Sequence, residues 1–92
     1  MEHPVTEMIN SVESKLDQRY CRLSINGKFC FMKPNGIVFS LQKMPGEEAI
    51  VVEYADSYTE ALLNRFEDGD RFYIQDLDKE TLIQRILYEI DQ

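Results

Sequence analysis

Two Asn-Gly pairs, Asn26-Gly27 and Asn35-Gly36, each sit between apolar-rich runs. A type I′ turn needs positive φ at both central residues, and Asn-Gly adopts it with little strain. Residues 19–42 therefore read as a three-stranded antiparallel meander, the centre of whatever this chain folds into.

Treating each pair as a two-residue loop fixes the register. Ile25 then opposes Lys28, Leu23 opposes Cys30, and Cys21 opposes Met32. Across the second turn, Met32 opposes Phe39 and Cys30 opposes Leu41. Side chains alternate between the two faces of a strand. One face thus carries Cys21, Leu23, Ile25, Cys30, Met32, Ile37, Phe39 and Leu41, and is expected to be the core. Both cysteines fall there as small buried hydrophobes, diagonal rather than opposite. The other face is mixed, but Phe29, Phe31 and Val38 form an apolar patch on it. Such a patch is closed by a helix of the same chain, by a second copy in a homodimer through the sheet face, or by another partner or ligand.

Helical periodicity brackets the meander. Val5, Met8, Ile9, Val12 and Leu16 make one stripe over residues 4–17, and Pro4 suits the first helical position. Leu82, Ile83, Ile86, Leu87 and Ile90 make another over 79–91, with Asp78 as N-cap. Between them, the β-branched run from Ala49 to Tyr54 reads as a fourth strand. Ser57 and Glu60 have capping-box spacing. They open a short helix to about Phe66, expected to pack through Tyr58, Ala61, Leu62 and Phe66 and to end at Gly69. Residues 71–74 suggest a short fifth strand. The order is α-β-β-β-β-α-(β)-α. The fold class is α+β: an antiparallel β-meander of four to five strands with helices packed on one face, a single small domain over 1–92.

Charge is the clearest functional signal. The formal net charge is −7 over 92 residues. Residues 1–46 carry six basic and four acidic side chains, whereas residues 47–92 carry four basic and thirteen acidic ones. Acidic surfaces repel phosphates, so nucleic acid is an unfavourable partner and a basic protein a favourable one. No apolar run approaches the ~20 residues of a membrane span. Two cysteines without an export signal suit a reducing, cytoplasmic setting.

Catalytic constellations are sparse. The single histidine, His3, lies near the N-terminus, where nothing fixes it against a nucleophile. There is no zinc-type Cys/His spacing and no glycine-rich phosphate loop. The acids from Glu67 to Glu80 fail the calcium-loop pattern: counted from Asp68, the sixth position is Tyr73 and the twelfth Lys79. No cofactor and no metal is expected. The sequence points to a non-enzymatic protein–protein interaction module of inhibitor, immunity or adaptor type. Its expected surface combines the patch of Phe29, Phe31 and Val38 with Asp68, Asp70 and Asp76. The alternative is a small-ligand module or minimal enzyme that uses carboxylates and tyrosines (Tyr54, Tyr58, Tyr73) in a pocket between sheet and helices.

Overall fold

A computed structural model describes residues 4–75 and 78–92. His3 and Asp76 lie outside the described residues. The element order is α1 (Pro4–Leu16), β1 (Cys21–Ile25), β2 (Lys28–Met32), β3 (Val38–Lys43), β4 (Ala49–Ala55), α2 (Tyr58–Leu62), β5 (Glu67–Tyr73) and α3 (Lys79–Ile90). One five-stranded antiparallel sheet runs β1-β2-β3-β4-β5, each strand pairing with its neighbours in sequence. The α+β class and the element order read from the sequence therefore stand, and residues 71–73 of the expected fifth strand belong to a longer one, Glu67–Tyr73, that joins the sheet at its edge.

The first hairpin follows its turn chemistry. Asn26 and Gly27 have φ of 53° and 79°, as a type I′ loop requires. The register is the expected one, with Cys21 opposite Met32 and Ile25 opposite Lys28.

The second hairpin does not. Phe31 faces Phe39 and Met32 faces Val38, a one-residue slip from the tight-turn register. The cause is Pro34. Its ring presets φ for the second position of a type I turn, and it has no N–H for a ladder. The turn is Lys33-Pro34-Asn35-Gly36, closed by the Gly36 amide on the Lys33 carbonyl at 2.9 Å. Gly36 alone takes the left-handed conformation there, with φ of 93°. The Lys33 amide then reaches the Ile37 carbonyl at 2.8 Å. A type I turn followed by a left-handed glycine adds one residue to the loop. A slip of one moves every later side chain of β3 to the other face.

That slip rebuilds the core. Phe31, Phe39, Leu41, Ile50 and Val52 share one cluster with Val5, Met8, Val12 and Leu16 of α1 and all five apolar stripe residues of α3. The Phe31 and Phe39 rings stack at 5.5 Å, and Tyr20 meets Phe39 edge-on at 5.3 Å. Val38 goes to the opposite side, into a smaller cluster with Ile25, Cys30, Ala55 and Ala61. Leu23, Met32 and Phe66 pack against it. The two long helices thus cover one face, and α2 contributes Ala61 to the other.

Helix caps follow the sequence closely. The Ser57 hydroxyl accepts from the Glu60 amide at 3.1 Å, while the Glu60 carboxylate turns to Arg65 at 3.5 Å. Asp78 accepts from the Thr81 amide at 3.0 Å and the Thr81 hydroxyl at 2.7 Å. These bonds hold the Asp78 carboxyl below its ordinary value, the hydroxyl bond contributing most. The end of α2 differs from expectation. The helix stops at Leu62, and Asn64 takes the left-handed conformation with φ of 58°. Gly69 lies inside β5 instead. Of the residues expected to pack from α2, Ala61 is buried and Phe66 half-buried, whereas Tyr58 and Leu62 are exposed.

Candidate interaction surface

The expected surface is not one surface. Phe31 and Val38 are each 0% exposed and lie in clusters on opposite faces of the sheet. Phe29 is exposed, with the Arg22 guanidinium 5.4 Å from its ring centre. Arg22 also lies 5.2 Å from the Phe31 ring and is tied to Asp17 through two bonds of 2.8 Å. The apolar patch is therefore dismantled by the slip at Pro34, and with it the basis for a dimer through the sheet face. Cys21 is also a correction. It sits on the edge strand β1 and is exposed, while Cys30 is buried and its thiol is pushed up first by burial.

Polar groups close the smaller face. Ser40 is fully buried, donates to the Phe29 carbonyl at 2.9 Å and accepts from Gln42 at 2.7 Å. Lys28 reaches across to Glu53 at 2.6 Å and lies 3.9 Å from the centre of the Phe66 ring.

The acids do gather, along β5. Glu67, Asp68 and Asp70 are exposed on this strand. Asp68 faces Glu53 in the ladder, and Glu67 faces Tyr54. Beside the start of β5 is a crevice of about 220 Å³ lined by Tyr54, Asp56, Glu60, Arg65, Phe66 and Glu67. Tyr54 is a pocket tyrosine as the sequence suggests, whereas the carboxylates beside it carry no local signal and converge where β5 returns alongside β4. Tyr58 and Tyr73 are exposed and do not line the crevice.

A second polar cluster ties the connection between α1 and β1 to the end of α3. Arg19 bonds Asp91 Oδ2 at 2.5 Å, and the Tyr20 hydroxyl donates to Asp91 Oδ1 at 2.6 Å. A shallow groove of about 470 Å³ runs from there along α3, past Arg85 and Tyr88.

Burial, then the hydrogen bond to Asp91 and its charge, push the Tyr20 phenol up to about 12. Tyr54 is also pushed up to about 12, first by burial, then by the charges of Glu89 and Asp70 and by Tyr20. Both folded values lie above the ordinary 10.0. The stabilisation is thus complete below about pH 10 and is lost as pH rises through about 12. Unfolding measured across that alkaline window is expected to show a steep loss of stability. Tyr20→Phe should be less stable at neutral pH and decline less steeply; an unchanged slope would contradict this.

Among the described residues, no helix is long and apolar enough to cross a membrane, and no group of three or more His, Cys, Asp or Glu is placed to hold a metal ion. The chain has no significant match among protein-family models, curated proteins or solved structures. The geometry alone carries the functional reading.

Proposed function

We propose that the protein is a non-enzymatic binding module that engages a basic protein partner through its acidic C-terminal half. The supporting observation is the exposed row of Glu67, Asp68 and Asp70 on an edge strand, where none of the ion pairs among the described residues involves them. With Phe31 and Val38 buried, this row takes over the role expected of the aromatic face. A row of like charge steers an oppositely charged partner toward the edge and raises its association rate.

The small-ligand or minimal-enzyme reading finds less support. It calls for a carboxylate raised by burial inside a cleft. Among the described residues, the carboxylate so raised is Glu13, where burial outweighs the nearby charge of Arg22. Glu13 lies on α1 and does not line the crevice.

The test is kinetic. A basic partner captured from lysate is bound to wild type and to the D68N/D70N double variant at low and moderate salt. The expected result is slower association for the variant, little change in dissociation, and a weaker salt dependence. Equal association rates would remove the electrostatic reading.

A further inference from the structure

β5 forms one border of the sheet, and its outer side pairs with no other strand of the described residues. We infer that this border takes an extended lysine- or arginine-rich segment of the partner as a sixth strand, with one cationic side chain seated in the crevice beside Tyr54 and Phe66. The inference rests on the acidic-surface reading above and adds the mode of binding.

Three features argue for it. The first is backbone. An edge strand presents a row of N–H and C=O groups that an incoming strand can pair with. β5 has seven residues, a span of roughly 23 Å at the usual rise. A bulge places Gly69 and Asp70 against Val52, between the pairs Arg71–Val51 and Asp68–Glu53. It bends the strand but leaves regular pairing on either side.

The second feature is charge. β5 carries three acids and Arg71. Two copies of this border would bring like charges together, which opposes self-addition. A basic segment reverses the sign of that interaction. The opposite border, β1, is a poorer seat for such a segment. It is shorter, at five residues, and its charged residue is Arg22.

The third feature is the crevice. At about 220 Å³ it falls below the ~300–1,000 Å³ of small-molecule sites, and suits one side-chain head group. Asp56, Glu60 and Glu67 outnumber Arg65, the one cation in its lining. The Arg65 contact with Glu60 is long, 3.5 Å, and two-thirds exposed on the arginine side, so an incoming cation displaces it at little cost. Phe66 already accepts one cation, Lys28, over its ring.

The test uses the full chain and a synthetic peptide of alternating lysine and valine. Its control has the same sequence with alternate backbone nitrogens methylated. Strand addition predicts that the unmodified peptide slows hydrogen exchange at outward-facing amides of β5. Each lost backbone hydrogen bond in the methylated control should weaken binding by roughly 2- to 10-fold. E67Q combined with D56N should weaken the unmodified peptide severalfold. If both peptides bind alike and β5 exchange is unchanged, strand addition is overturned while the acidic surface survives. If neither peptide binds at low salt, both readings fail. If only the E67Q/D56N variant binds unchanged, the crevice is not the seat of the cation.

Discussion

Replacing Phe31 with alanine is expected to cost about 3–5 kcal/mol, the usual loss for a fully buried phenylalanine. Phe31 is 0% exposed and stacks on Phe39 at 5.5 Å. Domains of this kind are stable by only about 5–15 kcal/mol, so the variant should melt more than about 10 °C lower. Phe29, two positions away on the same face of β2, is 58% exposed. Its replacement by alanine should move stability by no more than about 0.5 kcal/mol. In the tight-turn register both side chains would lie on the face away from the helices, and the two substitutions would be far closer in effect. Thermal or urea unfolding of the pair separates the two registers.

Gly69→Ala is expected to cost about 1–3 kcal/mol, as overpacking does where neighbours cannot retreat. A Cβ built at Gly69 would lie 2.7 Å from Tyr54 Cε2 and 2.8 Å from the Val52 carbonyl oxygen. The ring can shift a little; the carbonyl belongs to a central strand of the ladder and cannot. Gly69→Asn tells this origin from a helix-ending role. A left-handed helix cap tolerates asparagine, but a site with no room for a Cβ rejects asparagine as it rejects alanine. Denaturant midpoints of both variants check it: similar losses are expected, and a tolerated asparagine would contradict the steric account.

The sequence was most readable where one local rule acted alone. The stripes of α1 and α3 are apolar at helical spacing, and every α3 stripe residue is buried. Asn26-Gly27 met no competing signal, and its hairpin formed in the expected register. Asn35-Gly36 had Pro34 beside it, and two turn rules pointed to different loops. Proline's fixed φ prevailed, and Pro-Asn-Gly is the local signal that would have revealed it. From that single residue followed the exchange of faces, the burial of Phe31 and Val38, and the loss of the apolar patch. The crevice was illegible for another reason. Asp56, Glu60 and Glu67 meet through the pairing of β4 with β5, a long-range contact that no local pattern encodes. Residues 67–70 read as a helix end and loop because strands are usually poor in Asp and Gly, yet pairing with β4 draws them into the sheet.

The register between β2 and β3 decides which side chains are core and which stay exposed. Cross-strand nuclear Overhauser contacts between backbone protons of these two strands measure it directly. Contacts linking Phe31 with Phe39 and Met32 with Val38 are expected, which is the register of the fold described above. Contacts linking Met32 with Phe39 and Cys30 with Leu41 would contradict it, return the aromatic patch to the surface, and move the search for a partner away from β5.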